Sequence, residues 1–241
     1  MVRKSNARLL SGEGASRGAP TPRPRATRTR RRDRQRDAIL RAAARLFRER
    51  GFADTGMRDI AAAADLSAAN LYHYFNGKDE LLFYCQDRAL DRMLDAVAAA
   101  RRAAPSAPER LRLVLVAHIR TLLDDIEGAT AHLHTESLPP ALRTALVRKR
   151  DRYEHAVRRI IADGVRTGEL VDMDPALVTR AMLGAMNWTV TWFRPEGPAG
   201  PDGVSDTIAR FLVRGVASRT PAARRTLSDV SLRLSKGGAH S

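Results

Sequence analysis

Two short helix-forming segments between two glycines constrain this chain more than any other feature of its sequence. The segments cover residues 57–64 and 68–74, and Gly51 and Gly77 break the chain on either side of the pair. Three residues that end at Ser67 separate the segments, and serine is a favourable N-cap for the second one. Helices this short are unstable alone, so they must pack against a longer neighbour. The spacing therefore predicts a helix-turn-helix unit. Its second segment is the recognition helix, called the reading helix below, which enters the major groove in such units.

Helical periodicity continues through most of the remaining chain. Residues 34–50 carry apolar side chains at the spacing of one helix face, and Gly51 follows them directly. Further helices are predicted at 78–101, 109–126, 140–167, 175–193 and 204–217. No stretch alternates with the period of a strand. The sequence thus predicts an all-α fold with a small N-terminal three-helix domain and a larger C-terminal helical domain.

Positive charge is concentrated at the N-terminus. The 241 residues carry a net charge of +15, and residues 1–37 account for +9 of it. A basic arm of this kind binds phosphate backbones or anionic surfaces by releasing counterions. The alternative is a disordered leader that only increases solubility. Composition by itself does not separate DNA, RNA and membranes as partners.

Several classes of protein are excluded or disfavoured by composition. No apolar run reaches the ~20 residues of a membrane span, because Arg180 and Asn187 interrupt the longest candidate, 177–193. The single cysteine, Cys85, excludes an intramolecular disulfide. Without a secretory signal or membrane segment, we expect a cytoplasmic protein with no membrane partner.

The chain also lacks the patterns of an enzyme or a metal protein. It has no glycine-rich phosphate loop, no G-x-S-x-G turn and no paired-carboxylate spacing, so we expect neither catalysis nor a cofactor. Four histidines raise the question of a metal site. His132 and His134 are two residues apart, which places them on different sides of a helix, and His118 and His155 lack a carboxylate set around them. No metal site is predicted, and Cys85 is expected to be a small core residue.

Residues 44–82 carry a resemblance to a known family. They read ARLFRERGFADTGMRDIAAAADLSAANLYHYFNGKDELL, with the motifs A-x-x-L-F-x-x-x-G-F, T-x-M-R-D-I-A, L-S-x-x-N-L-Y-H-Y-F and K-D-E-L-L. This segment closely resembles the DNA-binding domain of TetR-family transcriptional regulators. The resemblance implies a DNA-binding domain followed by a larger helical domain that binds a small effector and dimerises.

The resemblance and the helix pattern together divide the chain into four parts. We expect a disordered basic arm at 1–33, a helix-turn-helix DNA-binding domain at 34–80, a ligand-binding and dimerisation domain at 81–217, and a basic tail at 218–241.

Residues on the second and third helices are the candidates for DNA contact. Small or polar side chains at the start of the reading helix allow close approach to base edges, and Asn70 can pair bidentately with adenine. Tyr72 and His73 can reach bases or phosphates and Tyr74 a backbone oxygen, although both tyrosines could instead pack in the core. Lys78, at the start of a helix, favours phosphate. The full predicted set is Thr55, Arg58, Ser67, Ala68, Ala69, Asn70, Tyr72, His73, Tyr74 and Lys78.

A second resemblance concerns the effector. Residues 187–198 read NWTVTWFRPEGP and are similar to a segment of TetR-type repressors of fatty-acid and sterol breakdown, whose inducers are acyl-CoA thioesters. Trp188 and Trp192 are four residues apart and could line a cavity or pack across a dimer interface. Arg194 could contact a CoA phosphate or simply end a helix.

The effector pocket is expected among the helices of the larger domain. The candidate lining residues are Leu90, Met93, Leu94, Val97, Leu115, Ile119, Met182, Met186, Trp188, Trp192 and Arg194. We expect a homodimeric repressor that binds a palindromic operator and is released by an acyl-CoA thioester. A hydrophobic drug or aromatic metabolite is the competing effector, and a non-specific DNA-binding protein or a helical enzyme or carrier is the competing class.

Overall fold

A computed structural model describes residues 25–123, 138–194 and 197–218 of the chain. These residues form helices and contain no β-strand, which confirms the predicted all-α fold. The helices are α1 (Arg25–Arg50), α2 (Met57–Ala63), α3 (Ala68–Tyr72), α4 (Lys78–Ala103), α5 (Ala107–Leu123), α6 (Pro140–Thr167), α7 (Pro175–Asn187), α8 (Thr189–Trp192) and α9 (Pro201–Val216). The described residues from Arg36 onward, which include most of α1 and all the later helices, belong to one compact unit.

The first helix begins earlier than the sequence predicts. It starts at Arg25 rather than near residue 34, so residues 25–33 of the expected disordered arm are helical. Neither proline nor glycine interrupts the chain between Arg25 and Arg50, and arginine is a good helix former. The other predicted parts of the arm and the tail, residues 1–24 and 219–241, lie outside the described residues.

The predicted helix at 175–193 is divided in two at Trp188. The hydroxyl of Thr189 donates to the carbonyl of Met186 at 2.7 Å, and that of Thr191 donates to the carbonyl of Trp188 at 2.6 Å. Threonine side chains that bond to nearby carbonyls compete with the helical pattern, which explains the interruption. The last helix starts at Pro201, before the predicted residue 204, because proline is favourable at the first helical position.

Two apolar clusters share the long helix α4. The first joins α1, α2, α3 and the start of α4, and it includes Phe47, Ile60, Leu71 and Phe75. The second, larger cluster fills the space among α4, α5, α6, α7 and α9. Because α4 contributes side chains to both clusters, the small N-terminal bundle is joined to the larger one by a continuous helix.

Candidate DNA-binding face and effector cavity

The turn between α2 and α3 has a defined backbone geometry. Asp65 adopts a left-handed conformation with φ of 56°, which aspartate tolerates better than most residues. The N–H of Leu66 donates to the carbonyl of Ala61 at 2.9 Å and closes the end of α2. This turn fixes the direction in which α3 leaves α2.

The reading helix α3 is anchored at its start and through one buried side chain. The Ser67 Oγ atom accepts a hydrogen bond from the N–H of Asn70 at 3.2 Å, so Ser67 is the N-cap that the sequence predicts. Leu71 is completely buried in the first cluster, while Ala68 is half-buried. The remaining predicted contact residues on this helix edge are exposed: Ser67, Ala69, Asn70, Tyr72 and His73. A polar edge of α3 therefore faces solvent, as insertion into a groove requires.

The two candidate tyrosines occupy different surroundings. Tyr72 is 52% exposed, which makes it available to a partner. Tyr74 is half-buried and packs against the first cluster, so core packing accounts for at least part of its role. Phe75 is buried and meets the ring of Tyr84 edge-on, with 5.6 Å between ring centroids.

Thr55 has a structural role that corrects the expectation of a phosphate contact. Its side chain is buried, and its hydroxyl lies 2.7 Å from the carbonyl oxygen of Gly51 and 3.3 Å from that of Leu46. A hydroxyl that hydrogen-bonds within the domain does not reach a phosphate. Arg58, on the first turn of α2, is exposed and remains a candidate.

Lys78 makes contacts within the protein as well, while its predicted phosphate contact stays a prediction, because an ammonium group has three donors. Its ammonium group donates to the carbonyls of Phe52 and Ala53 at 3.0 and 3.1 Å. It also lies 4.7 Å from the centre of the Phe52 ring, a cation–π distance. Lys78 thus joins the start of α4 to the loop after α1. The sequence did not reveal this because the loop partner is 25–26 residues away.

A cavity of about 350 Å³ lies among α4, α5, α6 and α7. We call it the effector cavity. Apolar side chains form part of its wall, and polar side chains from all four helices form the rest. The lining residues are Gln86, Ala89, Leu90, Met93, His118, Leu122, Arg150, Asp151, Tyr153, Glu154, Leu183 and Asn187.

A buried hydrogen-bonded chain forms the polar wall of this cavity. The Nε2 atom of His118 lies 3.1 Å from Oδ1 of Asn187, and its Nδ1 atom lies 2.9 Å from the hydroxyl of Tyr153. Because an amide oxygen only accepts, Nε2 carries the proton and the Tyr153 hydroxyl donates to Nδ1. Burial lowers the pKa of His118 to about 4, so the imidazole is neutral at physiological pH.

The predicted effector residues fall into four groups. Leu90 and Met93 line the effector cavity, whereas Leu94 lines a neighbouring groove. Five others are buried in the second cluster without lining the cavity: Val97, Leu115, Ile119, Met182 and Met186. Trp188 and Trp192 are 66% and 47% exposed, and Arg194 is also exposed, so none of these three forms the cavity wall. Sequence reasoning missed the polar wall, although His118 falls on the apolar stripe of its helix.

The cavity wall and the DNA-binding unit are connected through α4. Gln86, Leu90 and Met93 line the cavity from α4, and Leu81 on the same helix packs in the first cluster. Arg88 of α4 also forms an ion pair with Asp37 of α1. If α4 shifts at the cavity, these contacts transmit the shift directly to the unit that carries α3.

Large apolar side chains are exposed on the last three helices. Leu177 on α7 is 63% exposed and Phe211 on α9 is 75% exposed, in addition to the two tryptophans. Large exposed apolar side chains that form one contiguous patch are typical of an interaction surface, and these four are candidates for such a patch.

Within residues 25–123, 138–194 and 197–218, no helix has both the length and the apolar character needed to cross a membrane. In the same ranges, no three histidine, cysteine or acidic side chains come together as a metal site would need. His132 and His134 lie outside the described residues.

Comparison with known proteins agrees with the two-part organisation. The family described as "Bacterial regulatory proteins, tetR family" matches residues 39–85, and "Tetracyclin repressor-like, C-terminal domain" matches residues 104–216. The HTH-type transcriptional repressor KstR2 of Rhodococcus jostii (strain RHA1) is 27% identical over 193 residues, which are 76% of this chain and 92% of that protein.

Solved structures give the same result. The structure of AibR in complex with isovaleryl coenzyme A and operator DNA has 26% identity and a TM-score of 0.63, and the match covers 74% of this chain and 98% of that one. The TetR family transcriptional regulator PfmR from Thermus thermophilus has 34% identity and a TM-score of 0.67, and the match covers 73% and 97%. With this identity over nearly all of PfmR and with both domain families matched, the chain belongs to the tetR family of helix-turn-helix transcriptional regulators.

Proposed function

We propose that this protein is a homodimeric repressor that binds a palindromic operator and is released from it by an acyl-CoA thioester. The observation that carries the proposal is the double role of α4, which lines the effector cavity and packs in the cluster that holds α3. We expect it to act in the cytoplasm as a binding protein without catalysis.

The exposed edge of α3 supports sequence-specific binding. Asn70 and Tyr72 are exposed, while Leu71 between them fixes the helix to the domain. In a two-fold dimer the two reading helices would enter major grooves about 34 Å apart, or a multiple of that distance. The operator would then be palindromic, because each half-site meets the same helix.

The exposed apolar surface of α7, α8 and α9 supports dimerisation. Trp188 and Phe211 would become largely shielded from solvent in a dimer, and burying large aromatic side chains is strongly favourable. This role for the tryptophans replaces their expected place in the effector pocket.

An acyl-CoA effector is supported by the cavity and by one relative. AibR has been solved with isovaleryl coenzyme A and operator DNA. In this chain the effector cavity offers Leu90, Met93 and Leu122 to an acyl group and the His118 chain to a polar group such as a carbonyl. A hydrophobic drug or aromatic metabolite without a phosphate group is the competing effector.

Release requires a difference in affinity between two states. An effector can prefer an arrangement of α4 in which the distance between the two reading helices does not match the spacing of the major grooves. Such an effector shifts the population away from the DNA-binding state. A release of about 100-fold corresponds to a coupling free energy of about 2.7 kcal/mol.

Two measurements on the purified full chain test this function. Native mass spectrometry without added ligand should give a dimer mass and an adduct with the mass of a CoA thioester. Selection from random duplex DNA at physiological salt should enrich one palindromic sequence. A monomer, or equal retention of all DNA sequences, would contradict the proposal and favour a non-specific DNA-binding protein.

A further inference from the structure

A second concavity, an open groove of about 1040 Å³, adjoins the effector cavity. We call it the α6 groove. It runs along α6 between Leu94 of α4 and the start of α7 at Pro175. Asp151 lines both the groove and the effector cavity, and Leu94 directly follows the cavity residue Met93. The two concavities are therefore neighbours that share Asp151 as a wall residue.

Basic side chains form one stripe along this groove. Arg148, Arg152, His155 and Arg159 are separated by four, three and four residues, which places them on one face of α6. The stripe spans about 16 Å at the helical rise of 1.5 Å per residue. Arg158 adds a fourth guanidinium group to the lining.

The groove also contains two carboxylates, and one of them already accepts hydrogen bonds from backbone N–H groups. Asp174 caps α7, where its Oδ1 accepts from the N–H groups of Ala176 and Leu177 at 2.7 and 3.2 Å. Asp151 stands at the junction with the effector cavity. Four arginines against two carboxylates leave the groove with an excess of positive charge.

The four guanidinium groups have no partner among the residues that the structure describes. Arginines elsewhere on the surface do pair: Arg112 and Arg210 contact Asp206, and Arg166 contacts Asp163. Unpaired arginines that line one groove favour an anionic ligand, because guanidinium groups bind phosphate oxygens bidentately.

We propose that the α6 groove binds the phosphates of the CoA moiety while the effector cavity holds the acyl group. This assignment rests on the proposed acyl-CoA effector and names the part of the protein that recognises its nucleotide end. The assignment requires one molecule to pass Asp151, the residue that both spaces share, with its charged end in the open groove and its apolar end in the effector cavity.

Operator phosphates are a less suitable occupant of this groove. Leu94 is 16 residues beyond Lys78, the first residue of α4. That separation is about 24 Å along the helix, at the end away from α2 and α3. The groove is thus distant from the DNA-binding face and adjacent to the cavity.

Calorimetric titration with three probes tests the assignment: octanoyl-CoA, free coenzyme A and octanoate. The variant is Arg152→Gln combined with Arg159→Gln, compared with the full-length wild type. The matched control is Arg143→Gln, which removes an exposed arginine from the same helix outside the groove. Circular dichroism melting verifies that each variant is folded.

We expect the double variant to bind octanoyl-CoA and coenzyme A about tenfold more weakly or worse, with a shallower salt dependence. Its affinity for octanoate should stay at the wild-type value, and Arg143→Gln should bind all three probes normally. This pattern would locate the phosphates in the groove.

Three outcomes would overturn the assignment. If the double variant binds octanoyl-CoA as tightly as the wild type, the groove is not the phosphate site, although the effector proposal stands. If the wild type binds neither octanoyl-CoA nor isovaleryl-CoA or palmitoyl-CoA, both proposals fail together. If the ligand-free double variant loses operator affinity in parallel with CoA affinity, the groove binds DNA phosphates instead.

Discussion

The ammonium group of Lys149 on α6 lies 2.5 Å from a carboxylate oxygen of Asp87 on α4. It also lies 2.7 Å from Asp91, one turn further along α4, and donates to the backbone carbonyl of Asp87 at 2.8 Å. Lys149 itself is buried, and the next residue, Arg150, lines the effector cavity. This contact ties the cavity wall to the helix that leads to the DNA-binding unit.

Replacing Lys149 by methionine should weaken this tie. The variant keeps an unbranched apolar stem and leaves two carboxylates facing each other. Since Asp87 and Asp91 remain 33% and 60% exposed, we expect a loss of about 1–2 kcal/mol in the free energy of unfolding, less than for a fully buried pair. Urea denaturation measures the loss. A double-mutant cycle with Asp87→Asn isolates the pair, and an unchanged urea midpoint in Lys149→Met would contradict its structural importance.

The buried hydroxyl of Thr55 gives a prediction that separates stability from DNA contact. Thr55→Val keeps the shape and removes the hydrogen bonds to Gly51 and Leu46, so we expect about 1–2 kcal/mol lower stability. The salt dependence of operator binding should not change. Arg58→Gln is the matched variant at an exposed residue. If Arg58 contacts a phosphate, the slope of log K against log salt becomes shallower by about 0.9 in this variant, while stability is retained. A reduced slope in Thr55→Val would restore its phosphate role.

The neutral imidazole of His118 makes the free energy of unfolding depend on pH. Its folded pKa of about 4 is below the usual 6.5, so the unfolded state binds more protons as the pH falls through this interval. Stability is therefore highest above pH 6.5 and decreases toward pH 4, by about 2 kcal/mol at pH 5.

Urea denaturation at pH 7 and pH 5 measures the loss of stability that protonation of His118 causes, with His118→Gln as the comparison. The variant lacks the titrating group, so its stability should fall by about 2 kcal/mol less than that of the wild type over the interval. Equal pH dependence in the two proteins would mean that His118 titrates normally in the folded state.

Local chemistry explains which features were predictable from the sequence. The cap at Ser67 and the turn before it depend on residues within a few positions of one another, and the structure has them as expected. Thr55 and Lys78 were assigned to DNA because their positions suit it, but their side chains turn toward backbone carbonyls. Whether a polar side chain turns inward depends on tertiary contacts that a spacing pattern does not contain.

The effector cavity was predictable only in part, for the same reason. Leu90 and Met93 follow from the apolar stripe of one helix. The hydrogen-bonded chain of His118, Tyr153 and Asn187 joins residues 35 and 69 positions apart on three helices, and no local pattern signals it.

Exposed arginines at the start of α1 test the basic arm. Arg30, Arg31 and Arg32 are exposed, and changing all three to glutamine keeps residues of good helix propensity. If these residues meet DNA phosphates, affinity should fall similarly for operator and random DNA, and the salt slope should fall by about 0.9 for each phosphate that is no longer neutralised. Fluorescence anisotropy across a salt series measures both, and an unchanged slope would leave the arm as a solubilising leader.

Operator binding by anisotropy at physiological salt, with and without a CoA thioester, tests the switch most directly. The wild type should prefer its selected operator to a scrambled duplex by about 1,000-fold or more, and Asn70→Ala should lose about 1–3 kcal/mol of that preference. Saturating isovaleryl-CoA, octanoyl-CoA or palmitoyl-CoA, whichever binds, should weaken operator binding about 100-fold. A thioester that saturates the protein and leaves operator affinity unchanged would contradict the coupling of cavity and reading helix through α4.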